Sequence, residues 1–299
     1  MRKELNNETY LDNCDTVPVV RFKAFDDLKW LNCGFSTRTG GVSTGPLESL
    51  NLGFERGDMR ENVAENFRRF AESAGFDISR ICLPRQWHTN NIRVSKDADR
   101  VGDIATYSVK PLSEEEKLRT AIDGQITGET GLVLIAYGAD CTPVYLADTG
   151  NRKVGLVHSG WKGTLNSISS DALRLMNELY GTSPVDVIAV IGPSISSENY
   201  EVGYDVAQHF INKHHIEVKE SSGIVRLGQC IKSQNDDCVI QKYQLDLWEA
   251  NRQNLLDCGV PDENIHISGL CTFREEELFY SHRRTGNARG VMAGFIEIV

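Results

Sequence analysis

The chain has 299 residues, a formal charge of -10, 40% hydrophobic and 25% charged residues. That length can bury a sizeable core, as one large domain or two smaller ones. The acidic balance argues against a general nucleic-acid binder, whose phosphate contacts need clustered Lys and Arg, but leaves small anionic ligands open to local arginines. The opening "MRKELNNETYLDNCDTVPVV" holds no apolar run of signal-peptide length, and "LVLIAY" and "VIAVIG" are far too short to cross a bilayer, so a cytoplasmic protein with no membrane partner is expected. Its eight cysteines include no C-x-x-C pair and are expected mostly as free thiols.

In chain order, residues 1–17 are polar and read as a loosely held extension, and 18–299 as a single domain, because no internal repeat or Pro/Ser-rich linker interrupts them. "VVRFKAF" starts the first strand and "CGFSTRTGGVSTGP" runs from a strand into a Gly-rich loop. "DMRENVAENFRRFAESAGF" places Val63, Phe67, Phe70 and Ala71 on one helical face, with Gly75 as the stop. "ICLPRQWHTNNIRVS" returns to extended structure around Pro84, and 97–122 reads as a long loop with one short helix at "SEEEKL". "DGQIT", "GLVLIAYGAD", "TPVYLAD" and "KVGLVHSG" then form four short segments expected in one sheet. "TLNSISSDALRLMNELYG" is a helix closed by Gly181, "PVDVIAVIGPSI" a buried strand, and "YEVGYDVAQHFINKH" and "QLDLWEANRQNLLDCG" are helices. "NIHISGLCT", "LFYSHRR" and "VMAGFIEIV" are expected as closing strands. The whole is an α+β chain with mixed sheets.

The hairpin carries the first chemical signal. If "PVYLAD" and "KVGLVH" turn at Thr149-Gly150, Asp148 faces Asn151 and, further out, Cys141 faces His158. Their Cβ atoms would then lie about 4.5–5.5 Å apart, and a tetrahedral zinc holds sulfur and nitrogen donors within roughly 4 Å of each other. A buried cysteine and a hydrogen-bonded core histidine are the bland explanation of the same pair. Asp140 before the cysteine and "SGWKG" after the histidine put polar, flexible residues where a packed strand would continue. A third donor is needed, and spacing alone does not choose among His88, His266 and His282.

Several motifs, "STRTGGVSTGPLESLNLG", "QWHTNN", "DGQIT", "ADCTPVYLAD", "GLVHSGWKGT", "IGPSISSENYEVG" and "FYSHRRTGNARG", stand in an order that resembles the YfiH/YlmD family, also called the laccase-domain or polyphenol-oxidase-like family. The likeness runs from about residue 20 to the C-terminus. It implies a YfiH-like cysteine hydrolase fold, with mixed sheets sandwiched between helical layers, and a zinc site of His88, Cys141 and His158. It also implies a purine nucleoside phosphorylase acting on adenosine, inosine and S-methyl-5′-thioadenosine, with adenosine deaminase activity. The chain departs from the pattern with Thr89 after the first histidine and with "TGNARG", which bears on whether Arg289 takes a family position.

Two histidines and a thiolate leave zinc's fourth position open, as in catalytic sites, where a bound water becomes acidic enough to attack a purine C6. Asp140 and Asp123 are the acidic candidates, for proton transfer, for substrate contact or for holding a histidine. Arginine suits phosphate because its planar fork donates two parallel hydrogen bonds; Arg38, Arg283 and Arg284 are the candidates, the last two on opposite faces if "FYSHRR" is a strand. Arginines paired with the acidic run at 275–277 are the plainer alternative. "SGWKGT" lacks Walker spacing, and Trp161 stacks on a base or packs under the loop. Competing functions are copper-dependent polyphenol oxidation, with copper in the zinc site, a cysteine amidase editing peptidoglycan precursors through Cys141 and His158, and a non-catalytic zinc protein. Seven histidines without an H-x-H pair argue against a full laccase copper set. The expected partners are purine nucleosides and phosphate, with no nucleic acid and no obligate protein partner.

Overall fold

The computed structural model describes residues 2–12, 17–107, 109, 112–216, 218, 223–232 and 239–299. Cys14 and Cys238 lie outside them, and the other six cysteines are free thiols. Two large sheets stack face to face. The first runs, in spatial order, Arg2–Glu4, Thr9–Asp12, Val19–Phe22, Leu31–Ser36, Met292–Ile298, Val133–Gly138 and Ile81–Cys82. The second runs Ile265–Ile267, Val187–Ile191, Thr142–Asp148, Lys153–Ser159, Gly124–Thr127 and Ile92–Val94. Each is antiparallel except at edge strands: Ile81–Cys82 in the first, and Ile265–Ile267 and Ile92–Val94 in the second, pair in parallel.

The layer between the sheets is apolar because strands from both present alternate residues to it: Phe22, Phe35, Leu134 and Ile296 from one, Tyr145, Ala147 and Leu156 from the other. Tyr145 is fully buried and donates its hydroxyl to the Gly34 carbonyl at 2.9 Å, tying the two sheets with a satisfied polar group. The outer face of the first sheet is covered by the helix Arg60–Ala74 through Val63, Phe67, Phe70 and Ala71, the stripe expected from the 3.6-residue period. Gly75 ends that helix at φ 78°, in the left-handed region that glycine enters most easily. Helices Ile168–Tyr180 and Leu247–Leu256 cover the outer face of the second sheet. This is the expected α+β arrangement of mixed sheets between helical layers.

Several expectations need correction. Part of the polar 1–17 segment is strand: Thr9 and Leu11 turn inward while Tyr10 and Asp12 stay half-buried, and Thr9–Asp12 pairs with Val19–Phe22. Arg2–Glu4 pairs with the other side of Thr9–Asp12 as the exposed edge strand, which can be this polar because one side of it meets water. The four segments expected in one sheet divide, Val133–Gly138 joining the first sheet and the other three the second. The helix expected from Thr164 breaks at Ser167, whose φ of 59° separates Trp161–Leu165 from Ile168–Tyr180. "LFYSHRR" is no strand: Ser281 accepts from the Arg284 N–H and caps a short helix, His282–Thr285. A three-stranded sheet of Glu201–Val202, Val239–Leu245 and Val225–Lys232 was not expected.

Candidate metal centre

Three chain segments converge where the second sheet ends. The Lys153–Ser159 strand delivers His158, the turn before Thr142–Asp148 delivers Cys141, and the loop after Ile81–Cys82 delivers His88. The hairpin register differs from the expected one: Lys153 pairs with Asp148 and His158 with Pro143, around a four-residue turn. Asp148 sets that turn, its Oδ1 accepting from the N–H groups of Gly150 at 2.9 Å and Asn151 at 3.0 Å. The shift is by two residues, so side chains keep their face, and Cys141 meets His158 diagonally.

The ligand atoms of His88, Cys141 and His158 lie within 4.8 Å of one another. Cys141 Sγ is 3.7 Å from His88 Nε2, and the two imidazole centroids are 5.0 Å apart. Two imidazoles and a thiol at this spacing fit zinc or copper and are a poor set for calcium or magnesium, which take oxygen. Gly160 permits the approach: a Cβ there would come within 2.9 Å of both Cys141 Sγ and His88 Cδ2. His266 and His282 are not in the cluster; their Nδ1 atoms sit 3.2 Å from Glu8 Oε2 and 3.1 Å from the Gly286 carbonyl.

Asp123 lies behind the three side chains, away from the cavity linings. It is 2% exposed. Its carboxylate accepts from the N–H groups of Trp87 (3.2 Å), His88 (3.0 Å) and Thr89 (2.8 Å), from the Thr89 hydroxyl (2.7 Å) and from His158 Nδ1 (2.9 Å). These bonds hold His88 at φ 58°, a left-handed conformation few side chains adopt. They also place the His158 proton on Nδ1, freeing Nε2 to ligate. Gln86 fixes the other end of the loop, bonding both ways to the backbone of Tyr137 at 2.6 and 2.9 Å.

Burial disfavours the Cys141 thiolate, but the charge of His158 and hydrogen bonds from both histidines outweigh it and bring the thiol down to about 6. Burial likewise opposes a charged His158, yet Cys141 and Asp123 carry it up to about 10. Burial also works against the Asp123 carboxylate, and His158 and Thr89 still hold it below the usual carboxyl range. The thiolate and imidazolium form the charge pattern that a divalent cation takes over when it displaces the proton.

The centre opens into two adjoining cavities of about 170 and 430 Å³ that share Arg56, His88, Ala139, Cys141 and Arg289. The wider one adds Asp140, Trp161, Tyr200, Leu247 and Arg283. Asp140, at φ 88°, accepts from the hydroxyls of Thr272 (2.7 Å) and Ser281 (3.0 Å) and the N–H of Arg283 (2.6 Å), anchoring the Arg283 turn beside the centre. Of the three expected arginines only Arg283 lines the cleft, its ring-facing guanidinium 5.1 Å over Tyr200. Arg284 spends its donors on the carbonyls of Thr272, Phe273 and Phe279, and Arg38 on those of Glu48 and Glu276, so both hold loops together. Arg289, whose family position the "TGNARG" motif left open, lies in the cleft, and Arg56 and Tyr200 are cleft residues not expected from the sequence, whose segments carry no periodicity that could have singled them out.

A family model described as "Multi-copper polyphenol oxidoreductase laccase" matches residues 32–299. The chain is 36% identical over 263 residues to the purine nucleoside phosphorylase YlmD of Bacillus subtilis, covering 88% of this chain and 87% of that one. It is 32% identical over 262 residues to a purine nucleoside phosphorylase of Bacteroides thetaiotaomicron, covering 87% and 89%. The crystal structure of YlmD from Geobacillus stearothermophilus superposes with a TM-score of 0.77 at 31% identity, over 96% of this chain and 98% of that one.

Proposed function

Because the chain belongs to the YlmD/YfiH laccase-domain family, we propose that it is a zinc-dependent purine nucleoside phosphorylase acting on adenosine, inosine and S-methyl-5′-thioadenosine, and that the same cleft deaminates adenosine. The observation that carries the reading is the convergence of His88, Cys141 and His158 on an open cleft lined by arginines and aromatic rings.

His88, Cys141 and His158 would hold the metal, which supplies Lewis acidity at its remaining coordination position. Asp123 keeps both histidines in ligating orientation. Trp161, Tyr200 and Leu247 form an apolar wall suited to a purine face. Asp140 positions the 281–283 turn, so that Arg283 stays beside that wall. In phosphorolysis the C1′–N9 bond breaks with its electron pair leaving on the purine, a phosphate oxygen bonds C1′, and the proton of hydrogen phosphate ends on the base.

A second reading, a cysteine amidase using Cys141 with His158, is favoured by the depressed thiol beside a charged imidazole. Copper oxidation of phenols has the family description in its favour, but a laccase needs several copper centres and the described residues hold one His/Cys/His cluster. Inosine with phosphate should release hypoxanthine and ribose 1-phosphate, and chelation or Cys141→Ala should abolish both that release and stoichiometric zinc. Full inosine turnover by metal-free protein overturns the zinc reading, no base release together with hydrolysis of an amide substrate favours the amidase, and phenol oxidation that depends on bound copper favours the oxidase.

A further inference from the structure

The cleft holds positive charge that the metal ligands do not use. Arg289 is 7% exposed and lines both cavities. Its Nη1 donates to the Gly290 carbonyl at 3.0 Å, and its buried Nε has no partner. Arg56 stands on the exposed rim of the same two cavities. Among the described residues neither arginine forms an ion pair. Burial and the charge of Arg56 work against the Arg289 cation, and Asp140 and Cys141 offset only part of that, with Glu55 beside Arg56, so an anion bound between the two guanidinium groups would stabilise both. Nearby arginines whose donors are spent on backbone carbonyls, Arg38 and Arg284, lack that capacity.

We propose that Arg56 and Arg289 form a phosphate subsite on the wall shared by the two cavities, and that it holds the inorganic phosphate whose oxygen attacks C1′. The assignment rests on the phosphorylase reading and deepens it. Two planar forks can each donate paired hydrogen bonds to a tetrahedral oxyanion. The shared wall also contains His88 and Cys141, so phosphate held there adjoins the metal centre, while the aromatic side of the wider cavity is left to the purine.

The test uses zinc-loaded full-length protein with Arg289→Gln, Arg289→Lys and Arg56→Gln. Inorganic phosphate is titrated at saturating inosine, and separately into protein without nucleoside by calorimetry. Losing a charged hydrogen-bond partner should raise the phosphate KM by about ten- to hundredfold in both Gln variants, with part of the loss restored in Arg289→Lys, zinc content unchanged and the inosine KM within about twofold. Calorimetric phosphate binding should weaken in parallel. If Arg289→Gln does not fold, the rim position of Arg56 keeps the measurement available. An unchanged phosphate KM and unchanged phosphate binding in the variants overturn the subsite. Weakened binding of a nucleoside 5′-monophosphate with free phosphate unaffected also overturns it, since the arginines would then read the substrate's own phosphate. A native protein that releases base without phosphate overturns the phosphorylase reading instead, and the calorimetric arm still decides whether this pair binds phosphate.

Discussion

Asp123 shows how much of the centre rests on one carboxylate. Three consecutive N–H groups, a hydroxyl and an imidazole converge on it in a buried position. An amide there could accept through one oxygen only and would turn an NH₂ toward the other donors. Asp123→Asn should therefore weaken zinc binding by about 10–100-fold, measured by competition with a chromophoric chelator, with far-UV circular dichroism retained. Because its folded carboxyl lies below the unfolded value, its contribution to stability is present above about pH 4 and is lost as pH falls through the folded value. The sequence offered Asp123 as an acid for proton transfer, for substrate contact or for holding a histidine, without choosing among them. Its role depends on residues 34 to 36 positions away in the chain, which no local pattern encodes.

At the scale of elements, the closing strand Met292–Ile298 shows a cost. It sits in the middle of the first sheet with Glu297 at 4% exposure, accepting from Asn32 Nδ2 at 2.7 Å. Burial raises the Glu297 carboxyl despite that bond and the charges of Arg80 and Arg21. The folded protein thus holds its proton to higher pH than the unfolded chain, and stability falls as pH rises from the unfolded value through the folded one. Glu297→Gln, which can still accept from Asn32, should melt higher than the native protein at pH 7 and coincide with it near pH 4. The same strand was legible as an apolar run in the sequence. The 281–285 segment was not, because a capping serine overrode its strand-like composition.

At the scale of the whole molecule, the two sheets face each other across one apolar layer, and the His88–Cys141–His158 cluster lies at the end of the second. Residues 2–12 belong to the far edge of the first sheet, where Leu11 is 4% exposed and Asn6 reaches the Ser268 carbonyl at 2.8 Å. Deleting residues 1–12 should lower the melting temperature, by exposing Leu11's contacts and the edge of Val19–Phe22. Zinc stoichiometry should stay at the native value, because every ligand and clamp lies between positions 86 and 158. Loss of zinc along with stability would show instead that the sheets transmit edge damage to the centre.

By itself the sequence determined the alternation of strands and helices, the α+β class, the Cys141–His158 hairpin face and, through its ordered motifs, the family. These are local properties: period, turn chemistry and short spacing. The tertiary structure decided the two-residue hairpin shift, the clamp on His88, and which arginines face the cleft. Those depend on where distant backbone carbonyls fall, since a guanidinium can bind a ligand only through donors that no carbonyl within reach has taken.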